Sequence, residues 1–139
     1  MKVVVDTNIF VSSFFGGLPK KIIDMWKEGK LTLCLTNEVI DEYIDVLTRM
    51  GLGGTSEMGE LLSLFRTGHN CLFTSKTPSL SISEDPDDDT FIEAAVAHDA
   101  VSIVSGDKHL KEIGKYAGIA IVSPRVFLDV HGRPNKRGG

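Results

Sequence analysis

Short apolar runs alternate along this chain with longer stretches whose apolar positions recur at helical spacing. KVVV (2–5), LTLCL (31–35), NCLF (70–73), VSIVS (101–105) and AIVS (120–123) are rich in β-branched residues, which fit a pleated surface. Runs this continuously apolar suit strands covered on both faces. Between them a helix is predicted after Pro19, running through Ile22, Ile23 and Trp26, because proline suits a first helical turn. A second helix is predicted from about Thr36 to Met50, ended by Gly51, and a short third one carries Leu61, Leu62, Leu64 and Phe65. Strands alternating with helices predict an α/β domain around a mainly parallel sheet of five strands.

Three stretches lack either period. GLGGTSEMG (51–59) reads as a flexible joint leading into the third helix. KTPSLSISEDPDD (76–88) reads as an ordered loop, and long loops in compact domains are often functional. HGRPNKRGG (131–139) is basic and without large apolar residues, so the chain reads as one domain over 1–130 followed by a flexible basic tail.

Composition narrows the class. With 139 residues, 42% of them hydrophobic and 24% charged, the chain suits one core that needs neither disulfides nor a structural metal. It shows no apolar stretch of membrane-spanning length and no secretory signal, so a cytoplasmic location is expected. Cys34 and Cys71 lie in apolar segments and are expected to be reduced, buried thiols. His69, His98, His109 and His131 are scattered without zinc-ligand spacing. The formal net charge of −4 argues against a protein held to nucleic acid mainly by a basic surface. It leaves room for a site in which carboxylates gathered around divalent cations are locally positive.

The acids therefore carry the chemistry. In open α/β sheets ligands bind beyond the carboxyl ends of the strands. Asp6 stands there after KVVV, and Asp107 after VSIVS and Gly106; the bland alternative for both is a loop acid or helix cap. In TNEVIDEYIDVLTRM, at about 100° per residue, Val39, Ile40, Tyr43, Ile44, Val46, Leu47 and Met50 form one apolar arc, with Asp41 and Asp45 opposite. Glu42 lies at the margin of that arc, where it can reach across the end of the sheet. Glu38 is placed to favour the positive helix end. In EDPDDDTFIEAAVAHD, Asp88 or Asp89 could cap the helix. Yet Asp88 precedes Phe91, Ile92 and Ala95 by three, four and seven residues, which projects it onto the buried side. Asp85, Asp87 and Asp89 imitate the start of a calcium loop, but Thr90 and Val96 occupy the positions of its glycine and its glutamate. Four converging carboxylates repel one another unless counter-charge is supplied. Oxygen-only ligands favour Mg²⁺ or Mn²⁺ over zinc, and such ions serve phosphodiester hydrolysis.

VVVDTNIFVSSFFGG, NEVIDEYIDVL, DPDDDTFIEAAVAHDA and IVSGDKHL together resemble, in order and separation, the motifs of PIN-domain ribonucleases, most closely the bacterial and archaeal toxins of toxin-antitoxin operons. The resemblance covers about residues 1–128. It implies a three-layer α/β/α sandwich and a cleft in which Asp6, Glu42, Asp88 and Asp107 hold Mg²⁺ or Mn²⁺ and hydrolyse RNA, with Asn8 or Thr7 orienting Asp6. It also implies a homodimer and a cognate antitoxin partner. Related sequences commonly read DPDDN where this one reads DPDDD, so Asp89 competes with Asp88 as the third ligand.

On this reading the chain is a metal-dependent endoribonuclease acting on single-stranded or looped RNA, with Lys20, Lys21, Lys108, Lys111 and Arg125 as candidates for guiding the backbone. One rival is a haloacid-dehalogenase-like phosphatase with Asp6 as nucleophile, for which Asn8 stands where a second aspartate is needed. The other is a PIN-like module that has become an RNA-binding protein or scaffold.

Overall fold

In the computed structural model, residues 1–82 and 86–132 are described, with the backbone alone at 86 and 87. Six strands form one sheet: β1 (Lys2–Val5), β2 (Thr32–Thr36), β3 (Cys71–Thr74), β4 (Ser102–Val104), β5 (Lys115–Tyr116) and β6 (Ile119–Val122). Their spatial order is β3-β2-β1-β4-β6-β5. The five predicted strands are all present and mutually parallel, and β5 adds an antiparallel two-residue edge. That edge was hidden because its tight turn is Ala117–Gly118, both with positive φ (51° and 84°). Asparagine before glycine would have announced such a turn.

Among the described residues six helices connect the strands, α1 (Thr7–Ser13), α2 (Gly17–Lys27), α3 (Asn37–Arg49), α4 (Ser56–Thr67), α5 (Pro86–His98) and α6 (Lys108–Ile113), and α7 (Pro124–His131) follows the last strand. Right-handed crossovers set α1 to α4 on one face and α5 on the other. Rings from the first four confirm that they share a layer. Phe10 packs on Trp26, Tyr43 and Phe65, with centroids 4.4–6.2 Å apart. The opposite layer buries Phe91, Ile92, Ala94 and Ala95 of α5 against the middle of the sheet. The structure is thus a three-layer α/β/α sandwich. No described helix is long and apolar enough to cross a membrane.

The helices refine the sequence expectations. α1 follows β1 without punctuation, and its β-branched Thr7, Ile9 and Val11 conceal helical spacing. α7 went unpredicted, although Ser123 caps it by accepting from Val126 N–H and Pro124 opens it. α4 starts inside the glycine-rich stretch, where Thr55 Oγ1 accepts from Met58 N–H at 3.2 Å. α5 begins at Pro86, so Asp88 and Asp89 lie within its first turns rather than capping it. Cys34 is buried and Cys71 half-buried; burial pushes both thiols up to about 11, so neither is a ready nucleophile. Residues 133–139, most of the expected tail, lie outside the described residues.

Candidate active site at the carboxyl edge

The sheet order creates one place where functional groups should gather. From β1 the chain moves to β2 and β3 on one side, then crosses to β4 and β6 on the other. The crevice between the carboxyl ends of β1 and β4 is therefore the topological switch point, where open α/β sheets bind ligands. Asp6 and Ser105 are the residues that leave those two strands. Asp6 N–H donates to Val104 O at 3.0 Å, which keeps the two ends level.

Asp6 is only 5% exposed. Its Oδ2 accepts from Ser105 Oγ at 2.6 Å, and Oδ1 accepts from Asn8 N–H at 3.5 Å, so the carboxylate also caps α1. Burial raises its pKa above the ordinary 3.8, the Ser105 hydroxyl partly offsets this, and the charge of Asp107 raises it again. Asp6 is thus a carboxylate held by its neighbours yet disfavoured as an anion. Beneath it, the Tyr43 hydroxyl donates to Val5 O, fixing the strand end that presents Asp6.

Ser105 links two predicted site residues. Its fully buried side chain donates to Asp6 while its Oγ accepts from Asp107 N–H at 2.9 Å. Asp107 is half-buried and its Oδ1 caps α6 by accepting from Leu110 N–H at 3.0 Å. Sequence reasoning passed over Ser105, although the signal was the one that found Asp6: a polar residue leaving an apolar strand.

Glu42 reaches the same end from α3. It is half-buried, whereas Asp41 and Asp45 are exposed, as its place at the margin of the apolar arc requires. Thr7 Oγ1 donates to Glu42 Oε2 at 3.0 Å. Asn8 or Thr7 was expected to orient Asp6: the backbone N–H groups of both act on its carboxylate beside Ser105, while the Thr7 hydroxyl goes to Glu42. The burial of Tyr43 holds its hydroxyl well above the ordinary range, and the nearby charges of Asp6 and Glu42 push the same way.

Asp88 and Asp89 are both buried, at 6% exposure each. Asp89 Oδ1 accepts from Ile82 N–H at 3.1 Å, and Glu93 Oε2 accepts from Leu80 N–H at 2.7 Å. These two acids tie down the chain entering α5. Beside them, Thr90 faces Glu42 across a groove of about 460 Å³ that Glu38, Asp41, Asp45 and Arg49 also line. The structure thus links Asp6 with Asp107 through Ser105, and Glu42 to Thr7 beside Asp6, while Asp88 sits in the first turn of α5. Among the described residues, no group of three or more His, Cys, Asp or Glu side chains forms a metal cage. Every donor at the site is nevertheless an oxygen, and a buried, like-charged carboxylate is the kind of group a hard divalent cation stabilises.

A parallel sheet with carboxylates and hydroxyls at its switch point defines the class: a doubly wound α/β protein with an all-oxygen, acidic site at its carboxyl edge. The sequence matches the PIN domain family over residues 2–109, and the chain belongs to that family. PIN domains are generally nucleases, and they typically use divalent metal ions. An uncharacterised protein of Methanocaldococcus jannaschii is 27% identical over 143 aligned positions, which cover 93% of this chain and 90% of that protein.

Proposed function

We propose that this chain is an endoribonuclease that hydrolyses RNA phosphodiester bonds with Mg²⁺ or Mn²⁺ held by Asp6, Glu42, Asp88 and Asp107. The observation that carries the reading is Asp6: a buried carboxylate at the switch point, gripped by Ser105 and made unfavourable as an anion by burial and by Asp107. A divalent ion supplies charge neutralisation at the scissile phosphate and a lower pKa for the attacking water.

The chain's own groups do the rest. Ser105 sets the rotamer of Asp6 and the backbone of Asp107, and Thr7 sets Glu42. The spacing of Asp88 to Phe91, Ile92 and Ala95, which turns it to the buried side of α5, favours it as the third ligand. Asp6→Asn is expected to abolish Mn²⁺-stimulated cleavage of single-stranded RNA while far-ultraviolet circular dichroism stays native. Full cleavage by a folded Asp6→Asn protein would overturn the assignment. The motif resemblance supports the further reading that the ribonuclease is a toxin, works as a homodimer and is silenced by a cognate antitoxin. Induction of the wild-type chain should then arrest growth, and induction of Asp6→Asn should not.

A further inference from the structure

The two flanks of the switch point carry opposite charge. On the β2 side, the groove along α3 is lined by Glu38, Asp41, Glu42 and Asp45. The cation in its lining, Arg49, is already paired with Asp45 at 3.0 Å. A phosphate backbone laid there would meet four carboxylates against one arginine.

The β4–β6 side differs. Ser105 N–H donates to Val122 O at 2.9 Å, so the ends of β4 and β6 are level. One leads through Asp107 into Lys108 and Lys111 on α6; the other leads through the Ser123 cap into Arg125 on α7. All three cations are exposed, and no ion pair engages them among the described residues. Lys20, by contrast, is tied to Asp24 at 2.9 Å. Across the carboxyl edge the order is therefore acidic groove, Asp6, Ser105 with Asp107, then a cationic shelf.

We propose that the RNA backbone lies one-sidedly, running from Asp6 and Asp107 outward over the first turns of α6 and α7, with phosphates on Lys108 and Arg125. This rests on the ribonuclease reading and adds a direction to it. Phosphate contacts fix register and orientation without reading sequence, so the shelf sets which side of the scissile phosphate the protein holds. The α3 groove keeps the other side of the RNA off that wall.

The test is binding of a fluorescein-labelled single-stranded RNA of mixed sequence by anisotropy in Mg²⁺, over a range of KCl concentrations, in the Asp6→Asn background. For each phosphate contact removed, the slope of log affinity against log salt should shrink by about 0.7. Lys108→Ala and Arg125→Ala are each expected to show that loss. Arg49→Ala in the α3 groove and Lys30→Ala at the amino edge are expected to leave the slope unchanged. Unchanged slopes for Lys108→Ala and Arg125→Ala, or a loss confined to Arg49→Ala, overturn the track. Mn²⁺-dependent cleavage by the wild-type chain is scored separately. Its absence alongside shelf-dependent binding refutes the nuclease reading and leaves the track standing.

Discussion

Ser105 joins Asp6 to Asp107, and the Thr7 hydroxyl holds Glu42. Ser105→Ala removes the donor to Asp6 and the acceptor of Asp107 N–H in one step. Outer partners of ligating groups typically contribute about 10–100-fold in metal affinity or activity, so Ser105→Ala should lose Mn²⁺ binding by about that factor in calorimetry. Asp6 itself makes a prediction with a definite sign. Its folded pKa lies above the ordinary 3.8, so its contribution to stability is present at low pH and is lost as pH rises through the folded value. At neutral pH without metal, the ionised form is a liability that asparagine avoids while still capping α1. Asp6→Asn should therefore melt higher than the wild type in EDTA at pH 7, with the gap closing as pH falls towards 3.8. A wild type that melts higher at neutral pH would contradict the raised pKa. The strand-end acids and Glu42 were legible one residue at a time from periodicity. Their partners were not, because a hydrogen bond between residues 6 and 105 leaves no local trace.

Among the elements, helices with a clear apolar stripe were the readable ones. α3 buries Val39, Tyr43 and Leu47, the centre of the arc that its spacing marked out, with Ile40, Ile44 and Val46 half-buried at its margins; Met50, also placed on that arc, caps the helix and is exposed. α1 and the β5–β6 hairpin escaped notice because their residues argue against their conformations. β-branched residues crowd a short helix, and Ala117 holds φ of +51° in a turn that asparagine or glycine would favour. That strain is open to measurement. An L-residue with a β-carbon loses roughly 1–2 kcal/mol in the left-handed region, and asparagine tolerates it better. Ala117→Asn should raise stability by about 1 kcal/mol on that scale, read by urea denaturation with an unchanged m-value. A destabilised variant would show that the turn is not a type I′ hairpin. α5 shows a different kind of ambiguity. Four acids at 85 and 87–89 offer several starts, and only the helix beginning at Pro86 settles which of them lie inside it.

At the scale of the whole molecule, the proposed chemistry couples folding to metal. If the four carboxylates share ions in the native state only, Mn²⁺ stabilises the fold by mass action, about 2.7 kcal/mol at a hundredfold excess over Kd. The wild-type melting temperature should accordingly climb with Mn²⁺ and fall back with EDTA, whereas Asp6→Asn should respond little. A flat response in the wild type would instead favour the PIN-like scaffold. Alternation of β-branched runs with helical spacing was enough to determine an α/β domain with five parallel strands, since the two-sided burial of β1, β2 and β4 is written into their own residues; β3, expected to be covered likewise, stands near the sheet edge and leaves Leu72 and Phe73 exposed. The sequence likewise marked Asp6 and Asp107 as acids leaving the sheet and Glu42 as the inward carboxylate of its helix. Tertiary structure alone decided that β1 and β4 are neighbours at the switch point, that Ser105 joins Asp6 to Asp107, that the Thr7 hydroxyl serves Glu42, and that Lys108 and Arg125 follow adjacent strands. Those outcomes depend on crossovers that bring residues a hundred positions apart within hydrogen-bond reach, and strand order is a property of how the whole core packs.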